Sequence, residues 1–186
     1  MRSLQHWMSQ YVTLFLLSVC LYSTVWAGDQ IDAVQVVVAS DGSKVAVWEV
    51  NDGSVISIQG SNYDPVDDVW STPVTISTDG ESSFTPKLYI NALNNVVVGW
   101  WAVDTTCKVY RLKTAMQLAG ASWSKPSVLS GICEQVRSFQ LQVDQLGKIG
   151  MVTAIYSSVN IEDSVDSVWV STASFGGSWS DAVKIR

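Results

Sequence analysis

Trp70-Ser71-Thr72-Pro73-Val74-Thr75-Ile76-Ser77 recurs as Trp123-Ser124-Lys125-Pro126-Ser127-Val128-Leu129-Ser130 and as Trp179-Ser180-Asp181-Ala182-Val183-Lys184-Ile185-Arg186. The three tryptophans stand 53 and 56 residues apart. A recurrence near fifty residues, made of short strand-forming stretches, predicts supersecondary units that stack because none buries its faces alone.

Working outward from the tail, each unit gains three more strands. Val36-Val37-Val38 leads through Ala39-Ser40-Asp41-Gly42 into Lys44-Val45-Ala46-Val47-Trp48. The second copy runs Leu88-Tyr89-Ile90, Asn91 to Asn94, then Val96-Val97-Val98-Gly99-Trp100; the third runs Leu141-Gln142-Val143, Asp144 to Gly147, then Ile149-Gly150-Met151-Val152. Gly42, Asn94 and Gly147 fall in register, 52 and 53 residues apart, where a tight hairpin needs positive φ. Third strands are expected at residues 55–58, 108–112 and 167–170, and the Trp-Ser tail supplies the fourth. No stretch beyond the N-terminal segment keeps a helical apolar period. A β-sandwich also has many short strands, but it does not account for one four-strand unit occurring three times. The expected fold is all-β: three four-stranded antiparallel propeller-type blades, a partial β-propeller, in repeats at about residues 34–84, 85–138 and 139–186.

The first 27 residues read as a signal peptide. Arg2 precedes an apolar run at residues 11–21, and Val25-Trp26-Ala27 offers a cleavage site before Gly28. An uncleaved anchor is the competing reading, and Leu17-Ser18-Val19-Cys20 is a poor lipid-attachment box because valine precedes the cysteine. The chain is therefore expected outside the cytoplasm, secreted or periplasmic. The only histidine, His6, leaves with this segment, which excludes Ser-His-Asp and Cys-His catalysis and every histidine metal site from residues 28–186. Cys20 leaves too, and the remaining Cys107 and Cys133 favour one disulfide in an exported protein. Loss of Arg2 takes the formal charge from −6 to −7, which argues against nucleic acid and anionic membrane surfaces.

The strand, Asp/Asn-x-x-Gly, strand-Trp pattern, followed by Trp-Ser-x-Pro-Val-x-Ile-Ser, resembles the repeats of bacterial sialidase-like and lectin-like β-propellers. Thr172-Ala173-Ser174-Phe175-Gly176-Gly177-Ser178-Trp179 is similar to the sialidase Asp-box, with Ser174 where the aspartate belongs. Ala119-Gly120-Ala121-Ser122-Trp123 keeps only the Gly and Trp, and residues 61–70 are two longer. The resemblance covers about residues 34–186. It implies an arginine cluster, a tyrosine–glutamate pair and an acid if the chain is an active sialidase. Beyond residue 27 the arginines are Arg111, Arg137 and Arg186, a poor basis for a convergent triad. Glu81, Asp104, Glu134 and Asp163 leave two-carboxylate glycosidase chemistry formally open, although solvated loop charge is the plainer reading.

Of the tryptophans, Trp48, Trp70, Trp100, Trp123 and Trp179 follow the repeat and are expected to pack. Trp101 and Trp169 depart from it, and Trp101 faces away from Trp100. Both are candidate platforms for a sugar ring, set against the alternative of extra packing. One end of the blades should collect residues 51–54, 78–83, 104–107, 131–137 and 160–166. That end places Asp104 and Arg137 near a ligand and Cys107 near Cys133. Asp64, Asp67 and Asp68, like Glu162, Asp163 and Asp166, lack calcium-loop spacing. No cofactor or metal is expected. The expected function is a non-catalytic exported binding or scaffold protein that contacts a glycan or protein; the alternatives are a sialidase-like glycoside hydrolase fragment and a remnant without activity. Three blades leave two faces open, so a homodimer closing a six-bladed ring is the expected assembly.

Overall fold

The structure, a computed structural model, describes residues 29–130, 135–144, 149–157 and 167–185, the third of these as backbone. The N-terminal stretch read as a signal peptide, Gly147, Cys133, Glu134, residues 160–166 and Arg186 lie outside the described residues. Three open antiparallel sheets follow one another along the chain. The first holds β1 (Gln30–Val38), β2 (Lys44–Asn51), β3 (Ile56–Asp64) and two short strands, β4 (Val69–Trp70) and β5 (Val74–Thr75), that both pair with β3. The second holds β6 (Ser83–Ile90), β7 (Val96–Asp104), β8 (Val109–Gln117) and β9 (Ser127–Val128). The third holds β10 (Gln135–Val143), β11 (Ile149–Ser157), β12 (Ser167–Ser174) and β13 (Val183–Lys184).

The hairpin chemistry is as the sequence predicts where it is described. Gly42 has φ +87° and Asn94 φ +60°, and matching backbone bonds close the two turns: Ala39 N to Ser43 O, and Asn91 N to Asn95 O. A second left-handed position precedes each recurring tryptophan, at Asp68, Gly120 and Gly176.

The serine of each Trp-Ser pair has a definite task. Its N–H donates to the third strand at the carbonyls of Asn62, Met116 and Thr172, at 2.7, 2.7 and 2.8 Å. Its hydroxyl accepts the amide of the same residue, at 3.0 Å in all three sheets. A strand two residues long cannot hold a ladder by itself, and the hydroxyl supplies the acceptor that backbone pairing lacks there. Five residues after each of these serines, Ile76, Leu129 and Ile185 donate to Ile58, Leu112 and Val168 and complete the edge.

The third strands are twice as long as expected. Their second halves, such as Gln59-Gly60-Ser61-Asn62, are polar or small and carry no apolar alternation, yet they pair fully with the second strands. Gly60 permits the close approach: an added Cβ would lie 3.1 Å from the Ala46 carbonyl. The first sheet gains its fifth strand because residues 64–69 form a longer hairpin that pairs Tyr63 with Trp70. The corresponding contact in the second sheet is a single bridge, Gln117 to Trp123.

The sheets stack in sequence order, with β6 against β1, β2 and β3, and β10 against β8 and β6. Val45, Val47, Ile58 and Ile76 of the first sheet meet Leu88, Val98 and the fully buried Trp100 of the second. Val97, Leu112 and Met116 on the other side of the second sheet meet Val136, Phe139 and Leu141 of the third. Trp100 and Trp101 therefore serve opposite gaps, as strand alternation requires. The outer face of the first sheet repeats the apolar positions of the second. There Ala46, Trp48 and Val50 are covered by a small cluster with Trp70, while Val36 and Val38 of β1 stay exposed, Val38 at 60%. No helix among the described residues is long and apolar enough to cross a membrane.

Candidate functional site

A cleft of about 350 Å³ opens between the second and third sheets, at the end where the β7–β8 turn and the start of β10 meet. β6 enters it through a bulge between Phe84 and Lys87, and Thr85 in that bulge has φ +55°. β7 contributes Trp101, β8 contributes Tyr110, and β10 contributes Gln135 and Arg137. Arg137 occupies the β10 bulge, between Val136 and Ser138, and is exposed. The Tyr110 amide donates to Gln135 Oε1 at 3.1 Å, tying the edge of β8 to the next sheet. The equivalent tie in the first gap runs from the Ile56 amide to Ser82 Oγ at 3.5 Å.

The aromatic rings form the walls. Phe84 meets Tyr110 edge-on at 5.3 Å between centroids, and Trp101 meets Tyr110 at 6.5 Å. Behind them Trp101 rests on Phe139 at 5.2 Å, and Phe139 in turn takes Lys87 over its ring at 4.7 Å. Gly99 makes room for this backing, since a Cβ there would press on Phe139 and Leu141. Trp101 is partly buried, and Tyr110 is 46% exposed. Such mutually tilted rings give apolar faces to a ligand while the Trp N–H and Tyr O–H stay available as donors. Neither of those two groups has a hydrogen-bond partner among the described residues.

The four ligand residues expected from the sequence separate. Trp101 and Arg137 line the same cleft. Asp104 does not; it closes its own turn, accepting the amides of Thr106 and Cys107 at 2.8 and 3.0 Å and pairing with Arg111. The Cys107 amide bond first, then the Thr106 bond and the Arg111 charge, hold its carboxyl below the usual value despite some desolvation. Trp169 packs toward the second sheet's core and donates from Nε1 to Ser167 Oγ at 2.8 Å. Phe84, Tyr110 and Gln135 were not singled out by the sequence. A signal existed for Tyr110, which stands in the second sheet where Ile56 stands in the first.

The other charges near this end are also engaged. Lys113 is buried and holds Glu81 in an ion pair, with Thr78 Oγ1 at 3.2 Å, so the loop before β6 is pinned to β8. Arg111 keeps Nε buried without a hydrogen-bond partner among the described residues. At the opposite end of the first sheet, beside the β1–β2 turn, Asp64 accepts the Val66 and Asp67 amides, and Asp68 accepts the Tyr63 hydroxyl, which raises the Tyr63 pKa. No group of three or more potential metal ligands gathers among the described residues. Cys107 begins the approach to β8 at the same end, and its expected partner Cys133 lies outside the described residues.

No protein-family model matches the chain, and no curated protein matches it. Solved structures do. The Hadza microbial sialidase Hz136 superposes with a TM-score of 0.54 at 12% identity, over 77% of this chain and 35% of the sialidase. An N-acetylgalactosamine deacetylase from F. plautii, solved with blood group B trisaccharide, gives a TM-score of 0.49 at 11% identity, over 83% of this chain and 52% of the other. The chain spans about a third of the sialidase's length. The first of these likenesses is one of fold: the stacked antiparallel sheets are distantly similar to those of a sialidase-like all-β protein.

Proposed function

We propose that the chain is a three-blade section of a sialidase-like β-propeller, exported and non-catalytic, that binds a glycan in the Trp101 cleft. The observation that carries this reading is the set of tilted rings, Phe84, Trp101 and Tyr110, beside Arg137 in one monosaccharide-sized opening. Apolar ring faces stack on the C–H side of a sugar, and a few directed polar groups fix its orientation. Cleavage after Ala27, a Cys107–Cys133 disulfide across the loop before β10, and a domain over residues 28–186 belong to the same proposal. So does a homodimer in which the outer face of the first sheet, with Val36 and Val38, is covered by a second copy. Screening the full chain against a glycan array tests the reading. Binding that falls at least about tenfold in Trp101→Ala supports it; unchanged binding, or capture of a protein partner alone, refutes it.

The fold likeness to a sialidase favours a second reading, a sialidase-like glycoside hydrolase fragment. Against it, no carboxylate among the described residues lines the Trp101 cleft, and Glu81 and Asp104 are both committed to cations. Hydrolysis of fluorogenic glycosides by the chain, abolished by replacing one acidic residue, decides for the enzyme.

A further inference from the structure

We propose that Asp79-Gly80 is a site of spontaneous backbone modification, the Asp-Gly pair that the fold leaves free to close a succinimide and reopen as isoaspartate. The chain holds three such pairs, Asp41-Gly42, Asp52-Gly53 and Asp79-Gly80. Glycine has no Cβ, so nothing hinders its nitrogen from approaching the side chain before it. In the first step the Gly80 nitrogen bonds to Cγ of the protonated Asp79 carboxyl. The Cγ–OH bond breaks, and the hydroxyl leaves as water with the amide proton. In the second step water adds to the main-chain carbonyl carbon of the ring and cleaves its bond to nitrogen, so the chain runs on through Cγ. The water released in one step is matched by the water taken up in the other, and nothing is oxidised or reduced.

The first two pairs are tied at both reacting ends. The Gly42 amide donates to Ala39 O at 3.1 Å, and the Gly53 amide donates to Asn51 Oδ1 at 2.9 Å. Asp41 Oδ1 accepts the Ser43 hydroxyl and amide at 2.7 and 2.9 Å, while Oδ2 accepts Asn94 Nδ2 at 2.7 Å. Asp52 Oδ1 accepts the Val55 amide, the Ser54 amide and the Ser54 hydroxyl, each at 2.8 Å. Led by the Ser43 hydroxyl and the Val55 amide, these bonds also hold both carboxyls below the usual value, which depletes the acid form that loses its hydroxyl. Asp79 and Gly80 make no hydrogen bond or ion pair among the described residues. Both are exposed, and open space surrounds the place where a Gly80 Cβ would be. The residues that flank the pair hold one buried cation. Lys113 Nζ donates to Thr78 Oγ1 at 3.2 Å and pairs with Glu81. Isoaspartate puts the Asp79 Cβ into the main chain between them, and so lengthens the span that the single ammonium bridges.

The test ages the full chain in heavy-oxygen water at neutral pH, where each succinimide that reopens takes up one labelled oxygen. Electron-transfer fragmentation of the peptides then locates isoaspartate. It is expected at Asp79 at least about tenfold faster than at Asp41 or Asp52, whose pairs must first break bonds at both ends. In urea above the unfolding midpoint the three rates should converge to within about threefold. Equal rates in the folded chain, or faster reaction at Asp41 or Asp52, overturn the assignment. A tenfold preference for Asp79 that persists in urea overturns the role of the fold. The fraction modified at Asp79, separated by ion exchange, should melt below the unmodified chain; melting together with it overturns the link to Lys113.

Discussion

Replacing Ser124 with alanine should open the outer edge of the second sheet and little else. The hydroxyl accepts the Met116 amide at 3.0 Å and donates to the Lys125 carbonyl at 3.1 Å. Met116 is 7% exposed, so its N–H has little water to turn to when the oxygen is removed. A hydrogen bond contributes about 0.5–1.5 kcal/mol net, and a buried donor left unpaired costs about 1–3 kcal/mol. The backbone bond from the Ser124 amide to the Met116 carbonyl survives, and some water will reach this edge, so about 1–2 kcal/mol is the expected loss. With a urea slope of about 2 kcal/mol per molar, that is a fall of about 0.5–1 M in the unfolding midpoint. Urea denaturation followed by tryptophan fluorescence measures it, with Ser122→Ala as a control in the same exposed loop. Amide exchange adds a local readout, because Met116 protection should drop before that of the β7 core. A midpoint shift below about 0.1 M, or one equal to the Ser122→Ala shift, refutes the reasoning. The same loss is expected for Ser71→Ala and Ser180→Ala, and distant sites of this kind should add.

Glu81→Gln should cost more, about 2–3 kcal/mol, because it strands the buried Lys113 charge, and Lys113→Met in the same chain should recover most of that loss in thermal melts. Gly99→Ala should cost about 1–3 kcal/mol by overpacking against Leu141 and Phe139, and displacement of Phe139 should alter Trp101 emission. Asp104 has a folded-state carboxyl held below its ordinary value of 3.8, chiefly by the Cys107 amide. Its contribution is present above that value and lost as pH falls through the lower folded-state one, so Asp104→Asn should flatten the acid limb of stability below pH 4 and leave its shape at neutral pH unchanged. Thiol titration of the unfolded, unreduced chain with residues 1–27 removed should find no reactive cysteine, and Cys133→Ser should expose Cys107 and lower stability by about 2–4 kcal/mol.

The repeat was legible because its marks are chemical. Glycine or asparagine at a positive φ, and a serine hydroxyl aimed at a backbone amide, leave a trace whatever surrounds them. The length of the third strands was hidden, since Ser61, Asn62 and Thr114 pair and pack without an apolar pattern to announce it. Within the site, Trp101 could be picked out as a departure from the repeat, and Arg137 by its place in the loops at one end of the blades. Asp104 looked equally available, but turn closure claimed it: a carboxylate two and three residues before two free turn amides bonds locally before it can reach a ligand. Trp169 was drawn inward by the core of the neighbouring sheet. Phe84 and Tyr110 read as ordinary strand aromatics, and only the packing of β10 against their shared sheet makes them walls of one opening.

The bond between the recurring serine and the third strand is directed wholly at main-chain atoms. Nothing in it depends on which side chains Asn62, Met116 or Thr172 carry, and these three equivalent residues share no chemistry. Selection on such a unit constrains a few punctuation residues and releases the rest. Copies can then drift apart within one chain, and whole lineages can drift from one another, while the architecture is inherited intact. The likeness to a sialidase at 12% identity is one of shape, the level at which bonds to main-chain atoms act.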